Sequence, residues 1–199
     1  MSVLVSRSAA RTIFDEVQRW VEHGLASGGS ALESLMYPLA ALVPRKRRLL
    51  TPLELVGADD IEEVVIDGAA IPPDEVKAFS PANCHFAGDV EGANAAFNAQ
   101  IDKLLASSPR LSVCSKLHAH PFEGGCFLSG GDLYHGVAAP KARSWREGRG
   151  LETALLHVVY PDGVPGPASR WRVTPEGAVG RDRQGKRLLW RIHSWASVE

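Results

Sequence analysis

The sequence predicts an α+β (mixed α/β) fold, with a central sheet, two main flanking helices and C-terminal β-hairpins. Two segments place apolar residues at helical spacing, and several short apolar segments are typical of strands. The 19 Gly and 13 Pro residues divide the chain into short elements. A length of 199 residues suits one domain. Within residues 1–199 we expect a core over about 1–160 and a hairpin extension over 161–199.

The first helix is predicted over about residues 8–23. Ile13, Val17, Trp20 and Val21 share one of its faces, and Gly24 can end it. The second predicted helix is the Ala-rich segment Glu91–Ser107, whose apolar residues include Phe97, Ile101, Leu104 and Leu105.

Strands are predicted over residues 31–43, 48–56, 62–66, 111–120 and 152–160. Pro38 requires either an edge position or a bulge in the first of them. Residues 72–89 are predicted to be irregular, because Pro72 and Pro73 end the preceding strand. The last forty residues predict hairpins, with strands over 169–173 and 187–195 and a turn over 175–177.

Composition and charge exclude several classes of protein. The 22 basic and 23 acidic residues give 22 − 23 = −1, so the basic surplus expected of a nucleic-acid binder is missing. No apolar run approaches the length of about 20 residues that crosses a membrane. Three cysteines without CxxC spacing argue against a disulfide framework, and no signal peptide is recognisable. We therefore expect a cytoplasmic protein.

The most informative segment contains His118, His120, Ser129 and Asp132. On a strand, residues two apart project from the same face, so both imidazoles can reach one ion. A glycine-rich loop can bring the Asp132 carboxylate to them. Three protein ligands with one position left for water are typical of a hydrolytic zinc site. The alternative is a helix capped by Ser129 and Asp132, preceded by two surface histidines.

The segment His118-Ala-His120-Pro-Phe-Glu-Gly-Gly-Cys-Phe-Leu-Ser129-Gly-Gly-Asp132 resembles the signature of the JAMM (MPN+) zinc metalloproteases. These include deubiquitinating and deneddylating isopeptidases. Eight residues separate His120 from Ser129, one more than in the family pattern, and the comparison places the extra residue at Gly124 or Gly125. The resemblance implies an MPN-like sheet, Zn²⁺ bound by His118, His120 and Asp132, and Ser129 stabilising the tetrahedral intermediate.

The family also requires an upstream Glu as general acid and base. Glu33, in Ala31-Leu-Glu-Ser-Leu-Met36, matches that context best. Glu54, Glu63 and Glu22 are weaker rivals, and Glu123 lies close to the ligand loop. A solvent-facing Glu33 at a strand edge is the structural alternative.

Other noticeable residues have simpler interpretations. His135 is either a neighbour of the metal ligands or an exposed side chain, and Cys126 either lines the site or packs as a small buried residue. A hydrogen-bonded structural role is expected for His157. Trp171, Trp190 and Trp195 are expected to pack within the hairpins.

The resemblance implies hydrolysis after the C-terminal glycine of a ubiquitin-like modifier, in deconjugation or precursor processing. The compact chain is similar to bacterial peptidases encoded beside ubiquitin-like, E1-like and E2-like proteins in antiviral operons. Expected partners are therefore that modifier, its conjugates and those operon proteins, without nucleic acid or membrane. The alternatives are a catalytically inactive MPN-like scaffold, or a JAMM peptidase acting in DNA repair or on a sulfur-carrier protein.

Overall fold

The computed structural model describes residues 2–44, 61–74, 77–81, 83–86, 91–108, 110–111, 113–132, 155–174, 177–182 and 185–196. These ranges contain two helices, α1 (Arg7–Ala26) and α2 (Glu91–Ser107). Their strands are β1 (Ser2–Val5), β2 (Leu35–Pro44), β3 (Ile61–Ala70), β4 (Lys77–Ser80), β5 (Asn83–Phe86), β6 (Val113–Cys114), β7 (Lys116–Ala119), β8 (Leu155–Asp162), β9 (Ala168–Thr174), β10 (Gly177–Asp182) and β11 (Arg187–Ala196). The α+β class is confirmed.

Nine of the described strands form one mixed sheet in the order β1-β3-β2-β7-β8-β11-β10-β9, with β6 also paired to β2. The β1–β3 and β7–β8 pairs are parallel, and the remaining pairs are antiparallel. The hairpin strands continue this sheet, because β11 pairs along the whole of β8. β4 and β5 form a separate two-stranded sheet.

Helix α1 covers one face of the large sheet. The Ser6 hydroxyl caps its N-terminus by accepting a hydrogen bond from the Ala9 amide. Its buried face includes Ile13, Val17 and Val21, which belong to one apolar core together with side chains of β2, β3, β7, β8, β10 and β11. Burial of this face, rather than helix propensity alone, stabilises the helix.

The prediction that Gly24 ends α1 is wrong, because the helix continues to Ala26 and is capped at Ser27. Gly24 is buried inside its last turns. A side chain there would collide with the Ser30 carbonyl and with Leu32. The glycine therefore permits close packing of the following segment instead of marking the helix end.

Helix α2 covers the opposite face of the sheet, with the bounds expected from the sequence. Phe97, Ile101 and Leu105 pack against Leu39 and Ala70 in a second core cluster. Alternation along a strand explains the two faces: Leu39 points towards α2, whereas Met36 belongs to the α1 core. The faces are therefore distinguishable residue by residue along β2.

Several strand predictions need correction. β2 begins at Leu35 and lies inside the sheet; Pro38 is tolerated there beside a register shift between Leu39 and Ala40, which is the predicted bulge. The segment over 72–89 is not irregular throughout, because it contains the β4–β5 hairpin. β10 was not predicted, and 111–120 is divided into β6 and β7. The strand expected over 48–56 lies outside the described residues.

Neither described helix is at once long enough and apolar enough to cross a lipid bilayer.

Candidate metal centre

The two histidines lie at the end of a central strand. β7 runs between β2 and β8, with His118 opposite Leu35 on one side and beside Val158 on the other. Leu117 and Ala119, which alternate with the histidines, are part of the α1 core. His118 and His120 therefore project from the opposite, α2-bearing face of the sheet. Both are almost completely buried, at 3% and 2% exposure.

The loop that follows β7 returns Asp132 to the histidines. Its Oδ1 lies 3.0 Å from His118 Nε2, and its Oδ2 lies 3.4 Å from His120 Nε2. The two Nε2 atoms are 2.8 Å apart. One ligand atom from each residue falls within 4.8 Å of the others, so this triad is close enough to hold one metal ion. The predicted convergence of the three ligands is therefore present.

A reciprocal cap fixes the Asp132 carboxylate. The Ser129 amide donates a hydrogen bond of 2.7 Å to Asp132 Oδ2, and the Asp132 amide donates one of 3.1 Å to Ser129 Oγ. This is the expected helix-start pattern, with a helical turn beginning at Gly130. The capping and metal-binding interpretations are compatible, because the same carboxylate turns Oδ1 to His118 while Oδ2 is capped.

The glycine loop fixes the second imidazole. His120 Nδ1 lies 2.9 Å from the Gly125 carbonyl oxygen, which accepts its proton and leaves Nε2 directed towards Asp132. Phe122 stacks against the His120 ring at a centroid distance of 5.3 Å, and Phe127 packs on it at 5.2 Å. A backbone carbonyl on the outer nitrogen is a common way to fix the tautomer of a metal-binding histidine.

The electrostatics of the triad favour a neutral His118 and an ionised Asp132, whereas His120 is more readily protonated than a free imidazole. Burial lowers the pKa of His118, although the hydrogen bond with Asp132 acts in the opposite direction. Burial also opposes protonation of His120, but Asp132, the Gly125 carbonyl and the charge of Glu33 together raise its pKa. Burial alone would raise the pKa of Asp132, yet its bonds with both histidines hold it well below the usual range. The carboxylate is therefore ionised and ready to bind a cation.

Glu33 lies two residues before β2, the strand that pairs with β7. Leu35 pairs with His118, and the Ala119 amide donates to the Ser34 carbonyl at 2.9 Å. Extended by two residues, this register brings Glu33 to the level of His120, and the charge of Glu33 contributes to raising the pKa of His120. Glu33 is only 7% exposed, so the solvent-facing alternative is wrong. It is not among the clustered ligand atoms of the triad.

The rival glutamates lie elsewhere. Glu63 pairs with Val43, which lies eight residues beyond Leu35, or about 26 Å along β2. Glu22 is exposed on α1, on the other side of the sheet, and accepts a hydrogen bond from Gln18. Glu123 is exposed in the glycine loop. Glu54 is outside the described residues.

Other predicted residues also have definite positions. Cys126 is exposed rather than buried. Tyr160 is hydrogen-bonded to Cys126, and partial burial together with this bond raises the pKa of Tyr160 to about 12. His157 has the expected structural role, since its Nε2 lies 2.7 Å from the Ser115 hydroxyl in the interior. Trp190 is completely buried in the core. His135 and the side chains of Trp171 and Trp195 lie outside the described residues.

Two contributors to the site were not predicted, namely the carbonyl of Gly125 beside His120 and the carbonyl of Ser80, which accepts the Glu33 amide at 2.9 Å. Both act through the backbone, which leaves no residue-type signature in a sequence. The Gly124-Gly125 pair marked only a turn. Their positions become visible only when the loop and β4 are placed in space.

No family model matches this chain, and no curated protein sequence matches it either. The functional argument therefore depends on the site itself. The described residues place two buried imidazoles and one ionised carboxylate close enough together to bind a single metal ion.

Proposed function

We propose that this protein is a zinc-dependent peptidase of the JAMM (MPN+) type, which cleaves after the C-terminal glycine of a ubiquitin-like modifier. The observation that carries the proposal is the convergence of His118, His120 and Asp132 on one point of the sheet. Its ligand types, their order along the chain and the following cap all agree with the resemblance seen in the sequence.

The donor set suits zinc. Two imidazoles and one carboxylate are the ligands of many catalytic zinc sites, which are tetrahedral with the fourth position open. Bond lengths of about 2.0–2.1 Å place tetrahedral ligand atoms about 3.3 Å apart. Here the two Nε2 atoms are 2.8 Å apart and lie 3.0 and 3.4 Å from the two different oxygens of Asp132, and one ligand atom from each residue lies within 4.8 Å of the others. A bound zinc ion would supply Lewis acidity and make water available as a nucleophile at neutral pH.

Glu33 is the proposed general base and acid. The charge of its carboxylate contributes to raising the pKa of His120, yet Glu33 lies outside the ligand cluster. A carboxylate beside the ligands, rather than among them, can accept a proton from water and return it to the departing amine. Its near-complete burial keeps this proton away from bulk solvent.

Ser129 is proposed to stabilise the developing oxyanion. Its hydroxyl oxygen already accepts the Asp132 amide at 3.1 Å, so the hydroxyl hydrogen can be donated to a reacting carbonyl. The same bond fixes the position of Ser129 relative to a ligand. One serine would thus orient the carboxylate and contribute to catalysis.

The substrate class comes from the resemblance. The two glycines before the scissile bond of a ubiquitin-like tail present no side chains, so the extended tail can enter beside buried ligands. We propose a bacterial ubiquitin-like protein as the substrate, in conjugates or as a precursor, with E1-like and E2-like proteins acting in the same pathway. A sulfur-carrier protein with a similar glycine tail is tested as a second substrate in the same assay.

The decisive experiment combines metal analysis with cleavage. Purified protein should contain one zinc per chain and should release a C-terminal extension from the ubiquitin-like modifier. A variant carrying both His118→Ala and His120→Ala should lose both properties. The control is His23→Ala, which removes an exposed histidine from α1 on the opposite side of the sheet. Absence of zinc would favour the scaffold alternative, and zinc without cleavage of either substrate would refute the substrate assignment.

A further inference from the structure

An ion cluster built on a buried Glu16–Lys77 pair joins α1 to β4, the strand whose Ser80 carbonyl accepts the Glu33 amide. Lys77 Nζ lies 2.7 Å from Glu16 Oε1 and 2.7 Å from Asp74 Oδ1. The Lys77 side chain is fully buried, and that of Glu16 is 8% exposed. The contact connects the middle of α1 with the first residue of β4.

Burying two charges is expensive unless every polar atom finds a partner. Here Glu16 also accepts two hydrogen bonds of 2.9 Å from Arg19 and one of 2.8 Å from the Trp20 indole. Arg19 in turn binds both carboxylate oxygens of Asp74, at 2.7 and 2.8 Å. The network is densely bonded, so it fixes the position of Lys77 in three dimensions. An apolar pair would give comparable burial with less directional control.

β4 connects Lys77 to the backbone of Glu33 through a short series of contacts. Phe79 packs edge-on against Trp20 at a centroid distance of 4.7 Å. One residue later, the Ser80 carbonyl accepts the Glu33 amide at 2.9 Å. The next residue, Ser34, accepts the Ala119 amide of β7. The backbone at Glu33 is therefore held between β4 on one side and the strand of the metal ligands on the other.

We infer that the Glu16–Lys77 pair is a positioning device for Glu33, acting through β4 and the Ser80 carbonyl. The inference rests on the proposed function for the role of Glu33, but the structural coupling stands independently of it. Glu16 and Lys77 touch neither the triad nor substrate in this scheme. They fix the position of β4 relative to α1. The Ser80 carbonyl of β4 in turn fixes the backbone of Glu33, whose carboxylate is proposed to act at the site.

Amide hydrogen exchange measured residue by residue by NMR tests the coupling without any substrate. The variants are Lys77→Met, which keeps the side-chain length without the charge, and Glu16→Gln, which removes the opposite charge at nearly the same size and remains informative if the first variant does not fold. We expect exchange at the Glu33 amide to accelerate about tenfold or more through local opening. The Ala119 amide, on the neighbouring hydrogen bond, should exchange as in the wild type. Arg11→Ala, which breaks an exposed 3.9 Å ion pair on the same helix, is the control.

The second readout is turnover of the modifier fusion with zinc content measured in parallel. The variants should retain one zinc and a wild-type KM while kcat falls about tenfold or more, since small misplacements of a catalytic group cost that much. Unchanged exchange at Glu33, or equal acceleration at Ala119, would overturn the inference, because the first shows no coupling and the second shows general loosening. Wild-type protein without peptidase activity would refute the proposed function alone, since the exchange result does not depend on it.

Discussion

Adding a single methyl group at Gly125 should weaken metal binding by displacing the carbonyl that orients His120. Its carbonyl accepts the His120 Nδ1 proton at 2.9 Å and also accepts the Phe127 amide at 3.0 Å. A Cβ at this position would lie 2.8 Å from both the Cβ and the carbonyl oxygen of His120. Real Cβ atoms essentially never approach so closely, and the backbone oxygen cannot rotate away. Gly125→Ala must therefore move the loop carbonyl away from the imidazole.

The expected loss of zinc affinity follows from the role of the Gly125 carbonyl in orienting His120. Loss of the hydrogen bond that orients a metal-binding histidine typically costs about 10–100-fold in metal affinity. We expect that loss for zinc, equivalent to about 1.4–2.7 kcal/mol of binding free energy. Gly124 supplies the control. It has a left-handed φ of 75° with open space around its Cβ position. Gly124→Ala should cost about 1–2 kcal/mol of folding stability through backbone strain and leave zinc affinity unchanged.

Zinc affinity would be measured by competition with a chromophoric chelator, and stability of the metal-free proteins by urea unfolding. The expected pattern is a large affinity loss in Gly125→Ala alone and a strain penalty in Gly124→Ala. Wild-type zinc affinity in Gly125→Ala would refute the role of the carbonyl. Equal affinity losses in both variants would show that loop integrity, rather than the His120 contact, is responsible.

Three further outcomes are expected. Glu33→Gln should lower kcat about 10²–10⁴-fold with zinc stoichiometry unchanged, and loss of zinc would instead make Glu33 a ligand. Burial opposes ionisation of Glu16, but hydrogen bonds from Arg19, Lys77 and Trp20 lower its pKa. The ionised Glu16 therefore stabilises the fold fully above the usual pKa of 4.5, and this stabilisation is lost as the pH falls through the lower pKa of the folded state. Urea unfolding across the acid range should show that loss in the wild type and a flatter profile in Glu16→Gln. Trp190→Ala should cost about 3–5 kcal/mol of unfolding free energy by the same method, whereas a change below 1 kcal/mol would exclude β11 from the core.

The sequence predicted those elements whose apolar pattern is long enough to identify a face. Helix α2 has the predicted bounds, and α1 was located to within a few residues at each end. The β4–β5 hairpin escaped prediction because each strand has four residues and β4 contains the charged Lys77. Lys77 is buried only because Glu16, more than sixty residues away in the chain, is its partner. No local pattern can show such a pairing.

The residues of the site also differ in how far the sequence could predict them. His118, His120 and Asp132 were predictable because ligand types at fixed spacing are written in the residues themselves, and the structure brings them together. Glu33 was preferred to the other glutamates from its sequence context alone, whereas its position near His120 depends on which strand lies beside β7. The carbonyls of Gly125 and Ser80 belong to the backbone and carry no such signal.

The cap at Ser129 shows why a bland and a specific interpretation of one motif need not compete. A carboxylate has two oxygens and about four acceptor positions. Asp132 uses Oδ2 for the Ser129 amide at 2.7 Å and keeps Oδ1 for His118 at 3.0 Å. The reciprocal cap that begins the helical turn therefore also sets the orientation of the third candidate ligand. Ser129→Ala leaves the Ser129 backbone amide in place but removes the Oγ that accepts the Asp132 amide at 3.1 Å, which loosens the turn that carries the carboxylate. It should therefore weaken zinc binding, measured by chelator competition, as well as turnover, whereas loss of a purely catalytic hydroxyl would affect turnover alone.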